Sequence, residues 1–461
     1  LQPIFSFKCR GAYNKISSLS SNDTDKGIIA ASAGNHAQGV ALSASKLRID
    51  AMIVMPTTTP SIKIESVKKF GVKVKLHGDS FDEAYEYALE VSKNEGRVFV
   101  HPFDDPLVIA GQGTVAKEIV EQSEEVPDIF FIPVGGGGLI SGMSMYLKEH
   151  YPNTKVYGVE SEDAPTLFTS LRNGKPTSLD QVGLFVDGCA VKRIGEETFK
   201  ISKKYVDDVI LVSIDETCAA IKDIYEDTRV MSEPAGALSI AGMKKFIASN
   251  NVKNKKIMAV NSGANLNFDR LRHVTERAEI GEGKELLISV KIPEESGSFR
   301  AFCEVIGKRS ISEFNYRYAN EKSANVFVGV KTDNIENDTK CIFDDLKENK
   351  YNFIDLTQDE VAKLHLRYMV GGKPSSIINE KLFRFEFPEK PGALLNFLNK
   401  MREDWDITLF HYRNHGSAFG RVLVGINIGS HSKENLDEFL LDLDYKYTDE
   451  TENEGYNSFL K

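Results

Sequence analysis

The sequence predicts an α/β protein, with parallel sheet flanked by helices followed by two small ferredoxin-like subdomains. Three observations carry this. Between Gly27 and about Val260, short β-branched runs alternate with longer amphipathic stretches, the order of a parallel sheet covered by helices on both faces. After Asn261 the pattern changes. Beyond it, two segments match each other at an offset of 95 and then 96 residues.

In chain order the strand runs are Ile28 to Ala31, Ala51 to Met55, Val72 to Leu76, Val98 to Val100, Ile129 to Val134, Val156 to Val159, Val209 to Val212 and Ile257 to Val260. The segments between them repeat apolar residues at helical spacing, as in Phe81 to Val91 and Thr114 to Glu121. Ile280 to Lys284 (IGEGK) reads as a glycine-containing linker. In the repeat, Pro293-Glu294-Glu295-Ser296-Gly297-Ser298-Phe299 matches Pro388-Glu389-Lys390-Pro391-Gly392-Ala393-Leu394, each after an alternating strand (Leu287 to Ile292; Leu382 to Phe387). Phe314 to Arg317 matches Phe410 to Arg413, and Val328 to Val330 matches Val424 to Ile426. Each copy then reads strand, Gly-started helix, strand, strand, helix, strand, the βαββαβ order of a ferredoxin-like unit. Such a pair suits regulation, and it equally suits an oligomer contact.

The chain of 461 residues, 41% hydrophobic, suffices for two or three domains with their own cores. Its net charge of −10 is spread without long single-sign runs, which argues against nucleic acid as a partner. No apolar run approaches the roughly 20 residues of a membrane span. Five cysteines without a CxxC pair suggest neither a disulfide framework nor a zinc site, and fit a reducing, cytoplasmic-type compartment. The chain starts at Leu1 with neither an initiator Met nor a leader, so the expectation is a missing N-terminal segment.

Four pieces carry chemistry. Gly135, Gly136, Gly137 and Gly138 lie between the strand ending at Val134 and an apolar helix, where successive N–H groups without Cβ atoms can converge on a phosphate. A plain strand-to-helix turn is the competing reading; the GxGxxG and Walker patterns are absent. Ser32-Ala33-Gly34-Asn35-His36-Ala37-Gln38-Gly39 opens a second helix and suits a substrate carboxylate, although, taken singly, a plain N-cap by Ser32 or Asn35 is the commoner reading. Lys8, within Ser6-Phe7-Lys8-Cys9-Arg10-Gly11-Ala12, would become nucleophilic in an apolar setting, whereas most lysines are solvated. Asn261-Ser262-Gly263-Ala264-Asn265 follows the strand ending at Val260, at the edge where α/β proteins hold ligands.

In this order, SFKCRGA, SAGNHAQG, PVGGGG and SGAN resemble the tryptophan-synthase-β-like (fold type II) pyridoxal-phosphate enzymes, and among them the biosynthetic, isoleucine-sensitive threonine deaminases. IVMP (Ile53 to Pro56), GQGT (Gly111 to Thr114), VGLFVDGCAVKR (Val182 to Arg193) and EPAGA (Glu233 to Ala237) support the likeness, which runs from Phe5 to the C-terminal end. It implies a catalytic domain over 1–279 lacking its N-terminal part, and ACT-like regulatory subdomains over 285–365 and 380–461. It further implies pyridoxal 5'-phosphate bound covalently to Lys8, with Phe7 on one ring face and room beside Gly188 on the other. Asn35 would meet the phenolic oxygen, Gly135 to Gly138 the phosphate, and Ser262 the pyridine nitrogen. A neutral serine makes the ring a weaker electron sink, which suits elimination.

The implied reaction converts L-threonine, and also L-serine, by β-elimination; threonine gives 2-oxobutanoate and ammonia as the committed step of isoleucine biosynthesis. The substrate carboxylate is expected on the backbone N–H groups of Ser32, Gly34, Asn35 and His36, with Lys8 as base at Cα. Isoleucine as inhibitor and valine as activator would act through Tyr316 and Tyr412, in a homotetramer. Two departures from related serine racemases matter. Ala33 stands where they have a serine, which disfavours racemisation, and Thr166 replaces a carboxylate in the stretch from Glu160 that binds their cation, so no metal is expected. Cys9, where the family often has an aliphatic residue, reads as a core thiol. A serine-directed dehydratase or a non-catalytic amino-acid sensor are the alternatives. Without the segment preceding Ser6, poor activity of the residues as written is expected.

Overall fold

The structure, a computed structural model, describes residues 2–459 except 294–297, 307–308, 310, 321–322, 369–379, 389–396, 398–399, 402–404, 414–418 and 429–432. Contacts divide the chain into two compact units, one up to Val274 and one from Thr275.

The first unit begins α1 (Lys8–Ser17), α2 (Ser21–Lys26), β1 (Ile28–Ala31), α3 (Asn35–Leu47), β2 (Ala51–Met55), α4 (Ser61–Lys68), β3 (Lys73–Leu76), α5 (Phe81–Glu95), β4 (Val98–Phe99) and α6 (Pro106–Gln122). It continues β5 (Ile129–Pro133), α7 (Gly138–His150), β6 (Lys155–Ser161), α8 (Thr166–Asn173), α9 (Glu196–Tyr205), β7 (Asp208–Val212), α10 (Ile214–Thr228), α11 (Pro234–Ser249) and β8 (Ile257–Ala259), and α12 (Leu271–Gly281) begins in it and ends in the second unit. All eight strand runs of the sequence reading are strands here. They form two parallel sheets, ordered β3-β2-β1-β4 and β7-β6-β5-β8. A strand-helix alternation cannot by itself tell one sheet from two, because the break is only a change of neighbour. The central strands β1 and β5 are buried throughout, as parallel strands covered on both faces must be.

Close helix crossings fix the frame around Lys8. A Cβ on Gly11 of α1 would lie 2.2 Å from the Gln112 amide, and one on Gly111 of α6 would lie 2.7 Å from the Arg10 carbonyl. Gly39 of α3 approaches the Lys8 carbonyl, which a Cβ there would meet at 3.0 Å. Side chains at these positions would push α1, α3 and α6 apart, and α1 is the helix that starts at Lys8.

The second unit holds β9 (Glu285–Pro293), α13 (Ser298–Ile306), β10 (Ile311–Asn320), β11 (Ser323–Lys331), α14 (Ile335–Glu348), β12 (Asn352–Asp355) and α15 (Glu360–Leu364). Then come β13 (Glu380–Pro388), β14 (Asp406–Arg413), β15 (Phe419–Asn427), α16 (Lys433–Leu443), β16 (Tyr447–Asp449) and α17 (Glu454–Phe459). The antiparallel sheets are ordered β10-β11-β9-β12 and β14-β15-β13-β16, the same path twice. The expected linker Ile280 to Lys284 is instead the end of α12 and a tight turn: Gly283, at φ +67, reverses the chain into β9.

The repeat extends further than its sequence landmarks. Thr357 and Thr451 each accept from the first strand of their copy, at Leu287 N and Leu382 N, both 3.1 Å. Asp359 and Asn453 then cap α15 and α17, and the Asn453 amide donates to Asp359 at 3.0 Å, joining the copies. A shared core forms around this pair from Leu287, Phe327, Leu382, Leu423, Tyr456 and Phe459. The loops at 294–297 and 389–396, matched in the sequence, lie outside the described residues.

Candidate active site

Lys8 opens α1 with its side chain partly buried, and its amine donates to the Pro102 carbonyl at 2.9 Å. Burial lowers its pKa to about 8, although Cys189 and Glu233 nearby act in the opposite direction. Two imidazoles, His36 buried and His101 partly buried, share this neighbourhood. His36 contacts the Val100 carbonyl through Nε2 at 2.8 Å, and burial with the Lys8 charge pushes it down to about 3. His101 is pushed down to about 4, chiefly by burial; its Nδ1 accepts from Phe103 N at 3.2 Å and Asp104 N at 2.7 Å. Both rings are therefore neutral near pH 7, and the site stays free of competing cations.

The four glycines form the loop between β5 and α7, and each has a steric reason. A Cβ would fall 2.9 Å from Cys189 Cα at Gly135, 2.2 Å from the Phe103 ring at Gly136, and 2.8 Å from Thr198 at Gly137. Gly137 also adopts φ +89 as the N-cap of α7, where no side chain caps the helix. The N–H groups of Gly135 to Gly138 meet no protein acceptor among the described residues. A row of unclaimed donors at a helix N-terminus fits a phosphate.

Neither competing N-cap reading holds at α3. Its N-cap is Gly34, without a side-chain bond. The Ser32 hydroxyl accepts from Gly34 N at 3.2 Å, and Asn35 turns away, donating from Nδ2 to Glu233 Oε1 at 2.7 Å. One expectation needs correction here: Ser32 N–H is taken by the Val54 carbonyl at 3.1 Å, because the chain still follows the strand, so it does not face a ligand. Gly34 N–H is likewise engaged. Asn35 and His36 N–H remain at the helix start, with the Ser32 hydroxyl beside them.

The SGAN turn reaches Lys8 through its backbone. Phe7 N donates to Ser262 O at 3.2 Å, and Ser6 pairs with Gly263. Ser262 is buried, its hydroxyl 3.3 Å from Ala235 O, and Gly188 packs against Ala235, whose Cβ would sit 2.8 Å from a Cβ at 188. Asp187 joins Lys63 at 2.8 Å and Arg270 at 3.3 Å; burial raises its carboxyl, but the two cations outweigh this and hold it well below the usual carboxylate range. Burial, with Asp187 adding to it, pushes the Glu233 carboxyl up to about 7. Burial also raises the Cys189 thiol.

The structure thus gathers Phe7, Lys8, Ser32, Gly34, Asn35, His36, Gly135 to Gly138, Gly188 and Ser262 within one connected set of contacts. Tyr316 and Tyr412 stand at equivalent positions, opposite Val326 and Val422, on β10 and β14. Sequence reasoning missed His101 to Asp104 and gave no separate role to Asn265 or Glu233, although both stand in quoted motifs, SGAN and EPAGA. In the stretch from Glu160 to Thr166, Glu160 is spent on α8, accepting from Thr166 Oγ1 at 3.0 Å, Leu167 N at 2.8 Å and Phe168 N at 2.9 Å. Burial still pushes its carboxyl up to about 7. Among the described residues, no helix is long and apolar enough to cross a membrane.

Comparison with known proteins agrees with this geometry. Residues 1–263 match the family described as pyridoxal-phosphate dependent enzyme. Residues 276–366 and 371–460 match the C-terminal regulatory domain of threonine dehydratase, once each. The L-threonine dehydratase biosynthetic IlvA of Escherichia coli is 50% identical over 459 residues, covering 100% of this chain and 89% of that protein. The mitochondrial threonine dehydratase of Saccharomyces cerevisiae is 47% identical over 476 residues, covering 100% and 82%. Among solved structures, processed threonine deaminase isoform 2 of Solanum lycopersicum aligns with a TM-score of 0.59 at 49% identity, over 60% of this chain and 80% of that one. Serine racemase of Dictyostelium discoideum aligns at 0.54 and 32%, over 58% and 86%.

Proposed function

The chain belongs to the pyridoxal-phosphate-dependent threonine dehydratases, lyases that carry a C-terminal regulatory domain, and on that premise we propose that Lys8 is the base that drives deamination of L-threonine to 2-oxobutanoate and ammonia. The observation that carries this is a partly buried lysine with a lowered pKa whose amine rests on the Pro102 carbonyl, next to Phe103, which packs on the glycine loop of unclaimed N–H donors. Gly135 to Gly138 would hold the cofactor phosphate, Ser262 the pyridine nitrogen, Asn35 the phenolic oxygen, and Phe7 one face. When bound, the cofactor supplies the electron sink for the pair left at Cα.

The chain's own groups do the rest. Asn35 N–H, His36 N–H and the Ser32 hydroxyl bind the substrate carboxylate at the positive end of α3. Lys8 takes the Cα proton. Lowering its pKa from 10.5 to about 8 raises the neutral amine fraction at pH 7 about 300-fold. Pro102 O accepts one amine hydrogen and so orients the nitrogen lone pair. Departure of the β-hydroxyl as water leaves an enamine, whose hydrolysis gives 2-oxobutanoate and ammonia. The smaller L-serine fits the same chemistry as a second substrate.

The duplicated unit supports feedback by isoleucine, with valine as activator, through the paired positions of Tyr316 and Tyr412, in a homotetramer committed to isoleucine biosynthesis. The test is turnover by the purified chain loaded with pyridoxal phosphate, comparing L-threonine and L-serine. Release of 2-oxobutanoate that disappears in Lys8→Ala is expected. Absence of threonine turnover by protein that includes the segment preceding Ser6 and binds pyridoxal phosphate, or survival of turnover in Lys8→Ala, overturns the assignment.

A further inference from the structure

We propose that Glu233 is a positioning residue for this reaction: together with Asn265 it fixes the side-chain amide of Asn35 and ties it to the turn that carries Ser262. The inference rests on the reading of the site given above and adds to it a residue that touches neither substrate nor cofactor.

The hydrogen-bond chain has a defined direction. Asn265 Nδ2 donates to the Ile4 carbonyl at 2.6 Å, and a carbonyl can only accept. The other Nδ2 hydrogen goes to Asn35 Oδ1, also at 2.6 Å. Asn35 must then present its own Nδ2 to Glu233 Oε1, at 2.7 Å. Flipping the Asn35 amide would set donor against donor at Asn265 and acceptor against acceptor at Glu233. One Asn35 N–H is left over, and its direction is dictated by the other three bonds.

Glu233 is placed for this and not for its helix. It is the N-cap of α11, yet its carboxylate makes no capping bond there. An acid at this position ordinarily turns to the unpaired N–H groups of the first turn. Here it leans on the SGAN turn, so closely that a Cβ on Gly263 would lie 1.8 Å from Oε1. Its backbone N–H donates to Gly263 O at 3.2 Å, while Ser232 Oγ donates within the same cluster, 2.9 Å from Asn261 Oδ1 and 3.1 Å from Gly263 O. One residue therefore joins the amide of Asn35 to the turn of Ser262, the two groups that would meet the phenolic oxygen and the pyridine nitrogen of the cofactor. A carboxyl is also buried here at an energetic cost that a structural spacer would not require.

The experiment uses the full chain loaded with pyridoxal phosphate, as wild type, Glu233→Ala, Glu233→Gln, Asn35→Ala, Asn265→Ala and the Glu233→Ala/Asn35→Ala double variant. Measured are kcat and KM for L-threonine, the cofactor absorbance maximum and the dissociation constant for pyridoxal phosphate. Glu233→Ala is expected to lower kcat by about 10- to 100-fold with KM changed less than about threefold, and to displace the absorbance maximum. Glu233→Gln, which keeps an acceptor oxygen, recovers most of that loss. In the Asn35→Ala background, removing Glu233 costs less than about a further twofold, because the two act as one unit. Asn265→Ala moves absorbance and kcat in the same direction and serves if Glu233→Ala does not fold. Independent, multiplying losses, a Gln variant as impaired as Ala, or unchanged absorbance and kcat in Glu233→Ala would each overturn the proposal. If wild type itself fails to turn over threonine, the parent reading fails instead, and absorbance and cofactor affinity still report on the Asn35 clamp.

Discussion

At the scale of single residues, function depends on how little water reaches Lys8. In the cofactor-free chain its amine should react half-maximally with an amine-labelling reagent near pH 8, below which it is protonated, while surface lysines respond only above about 10. Competitive labelling followed by peptide mass mapping reads this directly, and a midpoint near 10 would show an exposed amine. The glycine loop makes a second prediction. Gly136→Ala brings a Cβ to 2.2 Å from the Phe103 ring, so either the loop or Phe103 must move. A loss of about 1–3 kcal/mol in unfolding free energy and a weaker dissociation constant for pyridoxal phosphate are expected, by denaturant titration and absorbance titration. Lys8 and these glycines were legible in the sequence because each sits in a distinctive local pattern. His101 was not, since its partners, Phe103 N and Asp104 N beside the Lys8 amine, mean nothing until the chain has folded, and Asn265, though inside the SGAN motif, gains its particular role only where the fold brings it to Asn35.

Among elements, the least legible was the short strap His101 to Asp104, with Asp105 after it. It reads as a polar loop, yet Pro102 receives the Lys8 amine, Phe103 packs on Gly136 and Gly138, and Asp104 accepts from Glu196 N and Glu197 N at 3.0 Å at the start of α9. Asp105 caps α6 through Leu107 N at 2.8 Å and pairs with Lys15 at 2.8 Å. The strap is held together by His101 Nδ1 accepting two N–H groups, which only a neutral ring can do. Its folded pKa lies below the ordinary value of 6.5, at about 4, so its contribution to stability is present above 6.5 and is lost as pH falls through about 4. Urea unfolding midpoints should therefore drop more steeply between about pH 6.5 and 4 in wild type than in His101→Asn, whose side-chain oxygen accepts the same N–H groups without titrating. Equal slopes would show that His101 does not hold the strap. Inner strands such as β1 and β5, by contrast, were read correctly because burial on both faces leaves unbroken apolar runs; the split into two sheets depends on which strand lies beside which, a long-range matter.

For the whole molecule, the question is what a duplicated antiparallel unit adds to an enzyme whose proposed catalytic residues lie in another part of the chain. The two copies share one core and one cap-to-cap bond between Asp359 and Asn453, so a change in either copy is felt by the other. Isoleucine can inhibit only to the extent that it binds one global state of the enzyme better than another, and that preference must be mutual. If the coupling has the ordinary size of about 1–3 kcal/mol, isoleucine weakens threonine binding by roughly 5- to 150-fold, and a non-reacting threonine analogue must weaken isoleucine binding by the same factor. Tyr316 and Tyr412 occupy matching places in β10 and β14, so under the proposed effector role Tyr316→Phe and Tyr412→Phe should each reduce isoleucine affinity by about tenfold, the size of one hydrogen bond. Neither should alter kcat for L-threonine in the absence of effector, because both lie outside the catalytic unit. Isothermal titration with isoleucine, paired with steady-state rates, separates the outcomes. Unchanged affinity in both variants would remove the tyrosines from the effector site, and equal loss of basal kcat would assign them to the fold rather than to regulation.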